Sequence, residues 1–291
     1  MDVARRAGDR APPAERVRNR LRRAVGAGVA DALPSGYQRL GRVLVLRLPN
    51  RLAPYFPEIG RAWLDELGVA TVLVRTGPIV GELREPSVRH VAGDGTETEV
   101  VEHGARWRFD AARLMFAAGN RTERARMGRL VRPGERVVDL FAGIGYFTIP
   151  IARAHPTIRV RAVEKNPLAY RYLLENARIN GVADRVEGRL GENRQVDLAP
   201  RAADRVVLGF LPDAVPWVDR ALDLIDPQGG WLHVHLIADQ RRATENAIAR
   251  VREALRAGGA ASTEPMHARE VKAYGPGRTH VVVDARVRPD G

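Results

Sequence analysis

The chain has 291 residues, 45% hydrophobic, 28% charged and 5% aromatic, the composition of an ordinary soluble globular protein with material for one large domain or two modest ones. It carries a formal charge of +12 at pH 7 and no cysteine, which excludes disulfides, thiolate metal sites, iron–sulfur clusters and a cysteine nucleophile. There is no apolar run of membrane-spanning length, and the arginine-rich start is not followed by an apolar stretch, so no membrane association and no secretory signal are expected; the cytoplasm is the expected location.

The positive charge raises the expectation of a nucleic-acid partner, but two features weaken it. Lys165 and Lys272 are the only lysines, so the basic excess is almost all arginine, as GC-rich coding produces without functional demand. Residues 1–30 hold eight arginines against three acids, leaving +7 for the other 261 positions.

Residues 1–30 are small, basic and proline-bearing, with helical character from Ala14 to Val25, and read as a basic flexible arm. Residues 31–112 read as a small α/β domain. In it Arg42–Leu48 and Thr71–Arg75 form strands, Tyr55–Leu67 a helix, and Glu97–Val101 part of a hairpin or extended edge in a glycine-punctuated stretch. Residues 113–291 read as a Rossmann-like domain. Its predicted strands are Arg136–Phe141, Val160–Glu164, Arg185–Leu190, Arg205–Phe210, Trp231–Ile237 and His280–Val287, with helices at Gly145–Ala154, Pro167–Asn180, Ala214–Ile225 and Gln240–Ala257. The expected fold is α/β, one parallel sheet with helices on both faces, preceded by the smaller α/β domain.

The strongest chemical signal is Val137-Val-Asp-Leu-Phe-Ala-Gly-Ile-Gly145, an apolar strand ending in Asp139 and followed by Phe141, Gly143 and Gly145 in a turn that opens a helix. In such sheets ligands bind beyond the carboxyl ends of the strands, where glycine lets the backbone come close. A tight strand–helix turn also needs glycine for steric reasons alone. The next strand ends in Glu164-Lys165, about 20 residues further on, where an acid accepts the ribose hydroxyls of an adenosyl group. A dinucleotide would use the same layout, but the third glycine of GxGxxG is missing, which favours S-adenosylmethionine. Glu192-Asn193 closes the third strand where an adenine edge would lie; Arg194 beside it is equally well a solvated turn residue.

Other candidates are weaker. His233 and His235 alternate on one strand without cysteine or a nearby acidic pair, so they read as packed or surface histidines and no metal is expected. The large aromatic residues are scattered, and no aromatic nucleic-acid platform is evident. Asp213 and Asp219 suit a general base, yet each is explained as well by a helix start. No general base is assigned.

Several segments together carry a resemblance: Gly81-Glu-Leu-Arg84, Phe116–Met127 with its Gly119-Asn-Arg-Thr-Glu-Arg124 stretch, Asp139–Phe147, Glu164–Pro167, Gly191–Arg194 and Leu208–Pro212. From about Leu40 onward the chain resembles the family joining tRNA guanine-N1 methyltransferases with wybutosine-pathway aminocarboxypropyltransferases. The resemblance implies a class I S-adenosylmethionine-dependent transferase. It places Ala117 and Arg124 against the cofactor, Arg124 pairing with the methionine carboxylate. Ala117 and Glu192 stand where the family usually has serine and aspartate. Gly209 stands where the methyltransferase branch carries asparagine, which favours transfer of the 3-amino-3-carboxypropyl group. For the acceptor, the short arm, the absence of a further RNA-gripping domain and the bacterial-looking composition favour a small phenol, giving a homoseryl ether as in nocardicin-type β-lactam antibiotic biosynthesis. The alternative is a tRNA base beside the anticodon.

Overall fold

The computed structural model describes residues 11–289 of the chain, which falls into two compact units. The first takes the chain up to Val101 together with Arg108–Phe116, the second Glu102–Trp107 and everything from Ala117.

In the first unit two helices, α1 (Pro13–Ala24) and α2 (Ala27–Asp31), precede strands β1 (Tyr37–Leu40) and β2 (Val43–Arg47). Helix α3 (Phe56–Leu67) then leads to β3 (Thr71–Val80) and β4 (Glu85–Gly93); β5 (Glu97–Glu102) pairs with β6 (Ala105–Asp110), whose joining stretch Glu102–Trp107 is counted with the second unit. The four-stranded sheet runs β1-β2-β3-β4; β2 and β3 are parallel, as the intervening α3 crossover requires, and the outer pairs are antiparallel. Leu44, Leu46, Val72 and Val74 of the sheet pack with Ile59, Ala62 and Trp63 of α3.

The expected loose arm is corrected over its described part; residues 1–10 lie outside the described residues. Ala14, Val17 and Leu21, spaced to share one helix face, are buried in the same core. The arm's arginines are engaged as well: Arg16 Nε donates to Glu66 at 2.7 Å, Arg20 pairs with Asp65 at 2.6 Å, and Arg18 Nη2 donates to the Leu33 carbonyl at 2.8 Å. Polarity hid this because arginine heads on one face mask the narrow apolar stripe on the other.

The second unit contains α4 (Arg121–Leu130), β7 (Arg136–Asp139), α5 (Thr148–Ala154), β8 (Arg159–Glu164), α6 (Pro167–Ile179) and β9 (Val186–Leu190). It continues through β10 (Arg205–Leu208), α7 (Val218–Leu224), β11 (Gly230–Asp239), α8 (Ala243–Ala257), β12 (Ala260–Ser262), β13 (Met266–Gly275) and β14 (Arg278–Pro289). The sheet order is β12-β14-β11-β10-β7-β8-β9, with β13 also on β14. Strands β9, β8, β7, β10 and β11 are mutually parallel, but β14 runs antiparallel to β11 and to β13, which corrects the expectation of one parallel sheet. The β13–β14 hairpin was missed because β13, Met266–Gly275, is polar and only partly buried.

Alternation along the strands sorts the two faces of this sheet. Val206, Leu208, Val234, Leu236, Val281 and Val283 face a core shared with Leu222, Val251 and Leu255 of α7 and α8. On the other parity lie Asp139, Arg205, His233, His235, His280 and Asp284, all buried or nearly so. Strand order reverses between β7 and β10, and the loop after β7 enters the site there.

Candidate cofactor site

The turn Leu140–Phe147 joins β7 to α5. Gly143 and Gly145 take φ values of 57° and 99°, and a Cβ at Gly145 would lie 2.7 Å from Ile149, so both the backbone conformation and the close approach demand glycine. Asp139 is wholly buried: Oδ2 accepts from Thr148 Oγ1 at 2.8 Å and Oδ1 from the Phe141 amide at 3.3 Å. Burial pushes its carboxyl up to about 6, against the opposing pull of the Thr148 hydrogen bond. Its role is therefore to pin the turn onto the start of α5.

Glu164, at the end of β8, reaches back to the same turn. Its Oε2 accepts from the Gly143 amide and its Oε1 from the Asn166 amide, each at 2.7 Å. Burial raises the Glu164 pKa, and those amide hydrogen bonds work against the rise. An ionised carboxylate has about four lone-pair sites, so acceptor capacity remains on Glu164 for a ligand hydroxyl. Asn166 continues the construction: its Oδ1 caps α6 by accepting from Leu168 N at 2.9 Å and Ala169 N at 3.3 Å.

At the end of β9, exposed Glu192 accepts from Lys165 Nζ at 3.0 Å, linking the second and third strand ends of the expected series. Buried Asn193 donates weakly to the Leu140 carbonyl at 3.4 Å and leaves its Oδ1 without a partner. Such an orphaned acceptor beside a glycine turn fits an amino-bearing ligand edge. Arg194 pairs with Asp219 at 2.9 Å and with the Pro216 carbonyl at 2.6 Å, the structural role weighed for it.

Arg124 is buried on α4 and occupied. It pairs with Glu102 through Nε at 3.1 Å and through Nη2, and its Nη1 donates to the Ala117 carbonyl at 2.9 Å. The guanidinium lies 5.6 Å from the Trp107 ring and 5.7 Å from the Tyr146 ring. The contact at Ala117 is to backbone, so replacement of serine by alanine there leaves it intact.

Gly209 follows β10, and a Cβ on it would lie 2.8 Å from the Phe147 ring. Around it the dispersed aromatics converge: Phe141 stacks on Phe210 at 5.0 Å, and Trp217 meets both edge-on at 5.2 and 5.3 Å. All three are partly exposed, so the scatter along the sequence becomes a half-open aromatic cluster at the ends of β7 and β10. Asp213 is held by Arg250 at 2.6 Å and caps Val215 at 3.1 Å. With Asp219 tied to Arg194, neither carboxylate stands ready as a base.

The two strand histidines are packed. Arg205 Nη1 lies 2.5 Å from His233 Nε2; a guanidinium has no acceptor, so Nε2 accepts and the opposite Nδ1–H donates to Asp284 at 2.5 Å. His233 is thus neutral, its pKa lowered by burial and by flanking guanidinium charge, whereas Asp284 is held low by His233 and Arg126 despite its own burial. His235 Nδ1 and His280 Nε2 lie 3.0 Å apart, and burial pushes both down to about 3. The His235 ring also packs at 5.0 Å on Phe147.

The glycine turn, the paired acid at the second strand end and the orphaned amide at the third define the site of a class I S-adenosylmethionine-dependent transferase. The TRM5/TYW2 methyltransferase domain model matches residues 98–261, and the TYW2 N-terminal domain model matches residues 17–96. The chain belongs to the TRM5/TYW2 family. It is 34% identical to the tRNA(Phe) (4-demethylwyosine(37)-C(7)) aminocarboxypropyltransferase of Pyrococcus horikoshii, over 94% of this chain and 96% of the relative. It is 31% identical to the tRNA (guanine(37)-N(1))-methyltransferase Trm5b of Pyrococcus abyssi, over 88% of this chain and 76% of the relative. Its fold matches that of P. horikoshii TYW2 in complex with MeSAdo with a TM-score of 0.84 at 30% identity, covering 95% of this chain and all of that one.

These relatives overturn the small-molecule reading. A phenolic acceptor and antibiotic biosynthesis were expected from a short arm without a further domain, yet residues 17–96 match the TYW2 N-terminal domain and the relatives named are enzymes of tRNA modification. Among the described residues no helix is long and apolar enough to cross a membrane.

Proposed function

We propose that the protein transfers the 3-amino-3-carboxypropyl group of S-adenosylmethionine to a tricyclic guanine-derived base beside the anticodon of tRNA. The cofactor is held by the Asp139–Gly145 turn with Phe141, Gly143 and Gly145, by Glu164 through the ribose hydroxyls, and by Lys165, Glu192 and Asn193 at the adenine end. Ala117, Arg124 and Gly209 line the methionyl end. When bound, the sulfonium supplies an electrophilic carbon. The residues of the chain orient it and shield it from water.

The observation that carries transfer of the larger group is the packing at Gly209. Its virtual Cβ already meets Phe147 at 2.8 Å, so the asparagine of the methyltransferase branch has no room without moving that ring. The partly exposed Phe141, Phe210 and Trp217 support an acceptor with an extended π face, since base–aromatic stacking is worth about 1–3 kcal/mol per base. The division into an N-terminal α/β unit and a transferase unit, and action on tRNA in the cytoplasm, belong to the same reading. The test is the co-product formed with hypomodified tRNA. Methylthioadenosine is expected; S-adenosylhomocysteine would instead indicate guanine methylation.

A further inference from the structure

Forty-five of the chain's 47 lysine and arginine residues are arginine, and the two lysines are Lys165 and Lys272. One of the two, Lys165, sits at the adenine end in an ion pair with Glu192. The other, Lys272, lies on β13 and is only partly exposed. Among the described residues no carboxylate or other acceptor lies within bonding distance of its ammonium.

Its surroundings place it at the methionyl end. A Cβ on Gly119, two residues from Ala117, would lie 2.9 Å from Lys272 Nζ, so the ammonium rests against the Ala118–Asn120 turn at a position open only because residue 119 is glycine. Arg124 adds its positive charge on one side and, with burial, lowers the Lys272 pKa. Arg124 in turn faces Tyr146, which covers Gly143. On the other side Lys272 is the register partner of His280, whose ring meets His235, which packs on Phe147 beside Gly209. Lys272 therefore stands between the glycine turn and the strand end where the two chemistries of the family diverge.

Charge is unbalanced there. Glu102 is shared between Arg124 and, at 3.7 Å, Arg121, so these groups with Lys272 retain a net positive charge. Arg124, expected to meet the methionine carboxylate, already has its charge paired with Glu102 and one N–H on the Ala117 carbonyl, whereas the Lys272 ammonium has no paired carboxylate among the described residues. We propose that the Lys272 ammonium, rather than Arg124, binds the α-carboxylate of the methionyl group and so turns its Cγ toward the acceptor. This rests on the cofactor site proposed above. In the transfer, the acceptor carbon bonds to Cγ, the Cγ–S bond breaks with its electron pair staying on sulfur, methylthioadenosine leaves, and the acceptor's proton passes to solvent.

Calorimetry with two ligands separates the possibilities, because methylthioadenosine lacks the carboxylate. For Lys272→Ala, S-adenosylmethionine affinity is expected to fall about ten- to a hundredfold while methylthioadenosine affinity and the melting temperature stay within about twofold and a degree or two of wild type. Lys272→Arg should recover only part of the loss. Equal weakening of both ligands would show a merely structural role and overturn the assignment. Unchanged S-adenosylmethionine affinity with weakened, less salt-dependent tRNA binding would overturn it in favour of a phosphate contact. Failure of the wild-type protein to bind S-adenosylmethionine would instead refute the site itself.

Discussion

Glu164 does two jobs with one carboxylate. It ties the Gly143 and Asn166 amides together at 2.7 Å each, and its remaining acceptor capacity suits a ribose hydroxyl. Glu164→Ala is expected to weaken S-adenosylmethionine binding about ten- to a hundredfold by calorimetry, the worth of losing charged-acceptor hydrogen bonds in a dry site. Unchanged affinity would remove Glu164 from the site. The residues at this scale were legible in the sequence where chain spacing mirrors spatial order: Asp139, Gly143, Gly145, Glu164 and Asn193 each close or follow a strand. Arg124 was expected at the cofactor only through the family resemblance, and its partner was not foreseen, because Glu102 lies 22 residues upstream at the end of the Glu97–Glu102 strand. Lys272 gave no motif of its own, and only its placement over Gly119 brings it into view.

At the scale of elements, the regular βαβ run from β7 to β10 was readable because its strands are short, apolar and bounded by turns. The long β13–β14 hairpin was not, since one arm is polar and its pairing is set by β14 alone. Helix α1 shows the same blindness at the other end of the chain. Its apolar stripe of Ala14, Val17 and Leu21 is buried, while mean hydropathy over the segment is dominated by arginine. Leu21→Ala is therefore expected to destabilise the protein by about 2–5 kcal/mol in chemical denaturation, as for any buried leucine that leaves a cavity. A change below about 0.5 kcal/mol, as typical of a surface position, would restore the loose-arm reading.

For the molecule as a whole, the buried face of the second sheet sets the response to acid. His233, His235 and His280 are kept neutral in the fold, with pKa values below their ordinary 6.5. As pH falls through about 6.5 the unfolded chain takes up protons that the native state refuses, so stability is lost on acidification. Asp139 works the other way: raised to about 6, it contributes stability that is lost as pH rises through that value, and Glu164 acts in the same sense. Three histidines against two carboxylates predict a net fall in the unfolding free energy from pH 7 toward pH 5. His280→Asn should flatten that fall by at most about 1.4 kcal/mol per pH unit, one proton's worth. A stability that is flat or rises over this range would contradict the neutral assignment.

The chain belongs to the TRM5/TYW2 family, and in the function proposed above the choice between two carbons of one sulfonium is set by packing around Gly209 and by the charge at Lys272. The decisive measurement uses S-adenosylmethionine labelled in parallel at the methionyl carboxyl carbon and at the methyl, incubated with the full chain and hypomodified tRNA. The account predicts that the carboxyl label enters the RNA while the methyl label stays in the small-molecule fraction. Methyl label in the RNA, or neither label there, would contradict it.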